Sequence, residues 1–143
     1  MKHEHMHDSK SRRGGGGGGG GGGMGRNGER PERTAPPEVF YGGTEARKYT
    51  ASSRVADVQR RLTERALELL ALPGDGPKLL LDVGCGSCLS GDVLTEAGHA
   101  WVGCDIAGAM LEVAGEREVE GDLCLRDMGQ GVGARPGVFD GAV

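Results

Sequence analysis

Aromatic residues are almost absent: one Trp, two Tyr and two Phe stand among 143 residues, 3% of the chain. Hydrophobic residues reach only 36%, which leaves a lean core. No run of about 18 apolar residues occurs, and this excludes a membrane-spanning helix. The N-terminus lacks the apolar stretch that a secretory signal requires, so an intracellular chain is expected. Cysteine is sparse: Cys85, Cys88, Cys104 and Cys124 are the full set. In a reducing compartment they read as free thiols. Positive charge is missing where nucleic-acid binding would need it. Residues 1–33 hold seven Lys/Arg against four Asp/Glu, whereas the remainder holds ten against seventeen. So acidic a body has no basic stripe for autonomous nucleic-acid binding, and most phosphate contacts to such a substrate must come from elsewhere.

Glycine is what the chain has in excess. Its 29 residues are about a fifth of the total, where about one in fourteen is usual. Gly14 to Gly23 form an unbroken run, so residues 1–33 read as a disordered Gly-rich leader that acts as a flexible tether. His3, His5 and His7 alternate inside it, a pattern open to loose metal binding or to a plain unstructured leader. Met24, directly after the run, is a second candidate start.

Residues 34–76 read as an N-terminal helical segment. Pro36 and Pro37 are expected to hold an extended lead-in up to Gly43, anchored by Val39, Phe40 and Tyr41. Thr44 to Thr50 forms a short helix or turn. Ser52 or Ser53 then N-caps a long helix to about Leu72, ended by Pro73 and Gly74. Val55, Val58, Leu62, Ala66 and Leu69 recur at three- and four-residue steps and predict its apolar face. Asp57–Arg61 and Arg60–Glu64 are favourable pairs on the wet face.

Residues 77–143 alternate strand and helix. Lys78 to Val83 is a continuous apolar run, suited to a central parallel strand buried on both faces. Helix Leu89–Ala97, strand Ala100–Asp105, helix Ala107–Ala114, strand Leu123–Arg126, a Gly-rich loop and strand Val138–Val143 follow. This order predicts an α/β fold, a Rossmann-like open parallel sheet of about four strands preceded by a helix. The last strand has nothing after it to cover its edge, which reads as a truncated chain.

The chemistry concentrates in Leu81-Asp-Val-Gly-Cys-Gly-Ser-Cys88. Gly84 and Gly86, between a strand and a helix, allow a tight turn and close approach of a ligand to the backbone. Asp105 ends the next strand, where a carboxylate grips both ribose hydroxyls of a nucleoside. The dinucleotide pattern Gly-x-Gly-x-x-Gly fails at Leu89. The pattern acid-x-Gly-x-Gly-x-Gly matches at Asp82, Gly84 and Gly86 and fails only at Cys88. Asp82 suits the cationic amino end of S-adenosylmethionine and repels a pyrophosphate. An NAD(P)-dependent oxidoreductase and a turn that serves only the fold stay as rivals. Cys85-x-x-Cys88 also admits zinc or redox readings, yet Cys104 and Cys124 stand alone, without the second pair that zinc wants.

Longer segments carry a resemblance. They are Arg30-Pro-Glu, Ala35-Pro-Pro-Glu-Val-Phe-Tyr41, Thr44-Glu-Ala-Arg-Lys-Tyr49, Arg65-Ala-Leu-Glu-Leu-Leu70, Leu89-Ser-Gly91, Arg117-Glu-Val-Glu-Gly-Asp-Leu123, Asp127-Met-Gly-Gln-Gly131 and Arg135-Pro-Gly-Val-Phe-Asp-Gly141. With the glycine motif, they make residues 30–143 resemble the eukaryotic 18S ribosomal RNA guanine-N7 methyltransferases, the family of the Williams–Beuren region methyltransferase and its fungal relatives. Glu-Ala-Arg-Lys-Tyr and Asp-Met-Gly-Gln-Gly are more specific than the glycine motif.

The resemblance implies a class I methyltransferase fold with S-adenosylmethionine as cofactor. It implies that Gly84 and Gly86 pass the methionyl end, with Asp82 near its amine. Asp105 would take the ribose hydroxyls and Ile106 the adenine face. Asp127 would accept from the adenine amino group and Met128 would pack on the ring. Ile106 and Met128 also read as plain core, Asp127 as a loop cap, and Arg47, Lys48 and Tyr49 either as lying over the site or as a solvated helix face. No residue is implied as a catalytic acid or base, and no metal site. A small zinc-binding activator subunit, a pre-40S ribosomal particle as substrate and a nuclear location are implied as well. Cys88 stands where the family has glycine, so its side chain is expected to crowd the cofactor or to need a φ it dislikes. The second half of the sheet, the guanine pocket and the family's basic C-terminal segment have no counterpart here, and the leader before Met24 has none in the family. An inactive fragment or an incomplete gene model is therefore the alternative reading.

Overall fold

The computed structural model describes residues 35–143, so the leader and its histidines lie outside the described residues. Four parallel strands form one sheet in the order β3-β2-β1-β4. They are β1 (Leu79–Val83), β2 (Ala100–Asp105), β3 (Asp122–Leu125) and β4 (Gly141–Ala142). The helices are α1 (Pro37–Phe40), α2 (Gly43–Thr50), α3 (Ser53–Leu70), α4 (Leu89–Glu96) and α5 (Gly108–Glu116), and a short 3-10 turn spans Met128–Gln130. This is the expected α/β, Rossmann-like arrangement.

β1 lies between β2 and β4, and its middle residues Leu80, Leu81 and Asp82 are buried. Leu80 joins Leu94 of α4, Trp101 of β2 and Ala114 of α5 in the main core. In-register pairing of Val83 with Cys104 brings the ends of β1 and β2 level. The loops that follow these ends therefore open on the same side.

Several expectations need correction. The lead-in is not extended: residues 37–40 make a single helical turn, with the Pro36 carbonyl accepting from Val39 and Phe40 N–H at 2.9 Å. Proline opens this turn without loss because the first N–H groups of a helix have no partner inside it. α3 is capped as expected, the Ser52 hydroxyl accepting from Val55 N–H at 3.4 Å. It ends at Leu70, however, because Ala71 already takes a left-handed conformation with φ 44°. The predicted apolar stripe does not face the core: Leu62 and Leu69 are 61% and 68% exposed. α3 instead turns inward at Thr63, which is buried, and at Leu67, which packs on the main core. Asp57–Arg61 and Arg60–Glu64 do pair, both at 3.8 Å, and Arg60 also holds Glu96 of α4 through two bonds of 2.7 and 2.8 Å. The predicted fourth strand contracts to Gly141–Ala142, and β3 is exposed along its length at the sheet edge. Among the described residues no helix is long and apolar enough to cross a membrane.

Candidate functional site

The glycine loop between β1 and α4 is tied to the end of β2. Gly84 and Cys85 N–H both donate to the Cys104 carbonyl, at 2.8 and 3.1 Å. Gly84 and Gly86 take φ of 73° and 55°, left-handed values that glycine adopts without the penalty a side chain brings. Asp105 completes the frame: its carboxylate accepts from Gly86 N–H and from Ala107 N–H, each at 2.7 Å. Each of its oxygens keeps a second lone pair for a ligand hydroxyl.

Asp82 is buried at the end of β1 and accepts from the Ser90 hydroxyl at 2.5 Å. Burial pushes its carboxyl up to about 6. The Ser90 bond opposes the shift and the nearby Asp105 charge adds to it. Ser87 is fixed from two sides. The Thr50 hydroxyl donates to its Oγ at 2.7 Å, and the Arg117 guanidinium donates to its carbonyl while pairing with Asp92.

Beneath α2 and α3 these groups line a cleft of about 370 Å³, the size range of small-molecule sites. Its walls include Asp82, Gly84, Gly86, Asp105 and Ile106, together with Tyr41, Tyr49, Gln59 and Ser90. Among the described residues no Lys or Arg lines it. Two carboxylates without a cation suit a ligand that joins a positive charge to a vicinal diol, and disfavour a pyrophosphate.

Five of the seven sequence-predicted residues thus meet in one cleft. Met128 and Asp127 stand off its walls. The Met128 methyl approaches Gly84, lying 3.7 Å from where a Cβ there would be. Asp127 caps its turn, accepting from Gly129 N–H at 2.8 Å and Gln130 Nε2 at 3.1 Å. Arg47 and Lys48 point into ion pairs with Glu116 and Glu45, whereas Tyr49 lines the cleft. Cys88 does not crowd the cleft: its side chain is 0% exposed and belongs to the main core. The conformational half of the expectation is what the structure has, since Cys88 sits at φ 60°, ψ 40° as the cap of α4. Its neighbour Cys85 has its thiol pushed well up, first by a hydrogen bond with Cys88 and then by burial. Sequence reasoning does not reach Tyr41, Gln59, Ser87 or Ser90. Of these, local spacing can flag Ser87, which stands inside the glycine motif, and Ser90, in the first turn of the helix behind it.

Strand, glycine turn, helix and an acid at the next strand end make the Rossmann-like fold of class I methyltransferases. The structure of a putative S-adenosyl-L-methionine-dependent methyltransferase from Methanococcus maripaludis has the same fold: TM-score 0.50 and 13% identity, over 74% of this chain and 47% of that one. No family model matches the chain. By sequence the chain is a homologue of proteins named 18S rRNA (guanine-N(7))-methyltransferases. It is 67% identical over 115 residues to the one called RID2 in Arabidopsis thaliana, 58% identical over 120 residues to that of Mus musculus, and 53% identical over 115 residues to the 18S rRNA (guanine(1575)-N(7))-methyltransferase of Saccharomyces cerevisiae. These matches take in 80%, 84% and 80% of the chain but 40%, 43% and 41% of the relatives, so the chain spans about two fifths of their length.

Proposed function

We propose that the chain carries the S-adenosylmethionine site of a methyltransferase that acts on guanine N7 of small-subunit 18S ribosomal RNA during ribosome biogenesis. The observation that carries this reading is the cleft with two carboxylates and, among the described residues, no Lys or Arg: Asp82 stands ahead of the glycine loop, and Asp105, at the end of β2, accepts from the loop's Gly86 N–H. An NAD(P) cofactor would bring a pyrophosphate to that loop, against Asp82.

The residue roles follow from this reading. Asp82 faces the cofactor's ammonium, Gly84 and Gly86 pass its methionyl chain, and Asp105 takes the ribose hydroxyls. Ile106 and Met128 pack on the adenine, and Asp127 accepts from its amino group. Bound there, the cofactor supplies a methyl group activated on a sulfonium. Guanine N7 already exposes a lone pair, so the acceptor needs no general base. The share of these residues is to bind and orient, with two carboxylates favouring a cationic ligand. Residues 34–76 act as a helical cover and residues 77–143 as the half-sheet that holds the cofactor. A small zinc-binding activator subunit fits the exposed apolar β3 edge, where Leu123 and Leu125 stand out. The substrate is then a pre-40S particle in the nucleus.

Calorimetry of the chain with S-adenosylhomocysteine and with NAD⁺ tests the reading. S-adenosylhomocysteine should bind and NAD⁺ should not. Asp105→Ala should weaken the former by about 1–3 kcal/mol, the cost of stranding polar groups. Preference for NAD⁺, or unchanged affinity in the variant, contradicts it.

A further inference from the structure

We infer that Tyr49, aimed by Gln59, is a positioning residue for the carboxylate at the amino-acid end of the cofactor, and that the site holds this carboxylate by neutral donors alone. The inference rests on the S-adenosylmethionine reading of the cleft. An ammonium and a carboxylate attached to one carbon cannot be separated, so a ligand whose ammonium meets Asp82 brings its carboxylate to the cleft wall nearby. Asp82 repels that carboxylate, which therefore needs donors of its own, and hydrogen bonds to an ionised acceptor are the strong kind.

The cations closest in sequence are engaged elsewhere. Arg47 is paired with Glu116, and Lys48 with Glu45 at 2.8 Å. What the cleft offers instead is the phenol at the end of α2 and the amide on α3. Gln59 Nε2 donates to Tyr49 Oη at 3.0 Å, and both side chains line the cleft. With its oxygen accepting from Gln59, the phenol has its own proton left to give. That proton has no acceptor among the described residues, so it is available to an anionic ligand. The next residue, Thr50, bonds to Ser87 at 2.7 Å, which fastens this end of α2 to the glycine loop and fixes the height of the ring.

The test is calorimetry of the full chain with S-adenosylhomocysteine and with its decarboxylated analogue, which keeps the ammonium. Tyr49→Phe should weaken S-adenosylhomocysteine about tenfold or more and leave the analogue unchanged. Gln59→Glu, which puts a carboxylate in place of the donor, should weaken S-adenosylhomocysteine further and leave the analogue as tight or tighter. An equal loss for both ligands shows a merely structural tyrosine and overturns the proposal, as does no loss for either. If the unsubstituted chain binds neither ligand, the cofactor reading itself falls and takes the proposal with it.

Discussion

The carboxyl of Asp82, raised by burial to about 6 from an ordinary 3.8, makes the stability of the chain depend on pH. A raised folded-state value means that the protonated form is favoured on folding. The contribution is fully present below about 4, and it is lost as pH rises through about 6. Each pH unit between the ordinary and the raised value is worth roughly 1.4 kcal/mol, so the whole swing is on the order of 3 kcal/mol. Asp82→Asn should remove this slope, so urea unfolding at pH 4, 5, 6 and 7 should show the parent losing stability relative to the variant. Parallel behaviour across the series would mean that the carboxyl is not buried as described. Cofactor binding should move the other way, because an ammonium favours the ionised form: affinity for S-adenosylhomocysteine should fall as the pH drops below about 6 in the parent alone. Cys88 raises a different question. It is wedged in the core at φ 60°, so glycine there relieves left-handed strain but removes buried atoms. The two effects are of similar size, and Cys88→Gly should unfold within about 1 kcal/mol of the parent. Its affinity for S-adenosylhomocysteine should be unchanged, since the thiol is outside the cleft; a clear tightening would restore the crowding idea.

Strand β2 is held to its neighbours by one large ring. The Trp101 indole lies between Gly91 of α4 and Gly121 ahead of β3, and a Cβ at either glycine would come within 2.3 Å of it. Its Nε1 donates to Thr95 of α4 at 2.9 Å. A methyl group at Gly91 forces the ring or the helix to shift, so Gly91→Ala should destabilise by about 1–3 kcal/mol or more. A denaturant midpoint equal to the parent's would show that α4 can move aside freely. None of this close approach is visible in the sequence, where Gly91 is an ordinary helix position, although the elements themselves are. β1, β2, α4 and α5 fall within two residues of their expected bounds, because apolar runs, glycine breaks and caps are local signals. The inward face of α3 escapes sequence reasoning for a related reason. Periodicity finds an apolar stripe but cannot say which stripe the rest of the fold covers, and here Thr63 and Leu67 are the side that packs. The candidate site divides in the same way. Asp82, Gly84, Gly86 and Asp105 belong to one contiguous strand–turn–helix–strand signal. Tyr49 and Gln59 stand tens of residues ahead of the glycine loop and reach the cleft only through packing.

At the scale of the molecule, charge sets how strongly the chain can attract a polyanion such as the proposed RNA substrate. Residues 34–143 carry ten Lys/Arg against seventeen Asp/Glu, and several of the cations are already spent. Arg47, Lys48, Arg60, Arg61, Arg65 and Arg117 are all in ion pairs with carboxylates of the same chain. Affinity for a polyanion comes largely from cations that displace its counterions, and its salt dependence counts them. The body should therefore hold small-subunit ribosomal RNA poorly even while it binds the cofactor. Any attraction at low salt should reside in residues 1–33, where seven Lys/Arg face four Asp/Glu. Filter binding of an 18S rRNA fragment to the whole chain and to residues 34–143, from about 50 to 200 mM salt, measures both parts of the expectation. The whole chain should show weak binding that fades across this range, and the shortened chain should show none. Tight, salt-resistant binding by residues 34–143 would mean that recognition is built into the half-sheet itself, and the view that phosphate contacts come from a partner or a neighbouring segment would have to be given up.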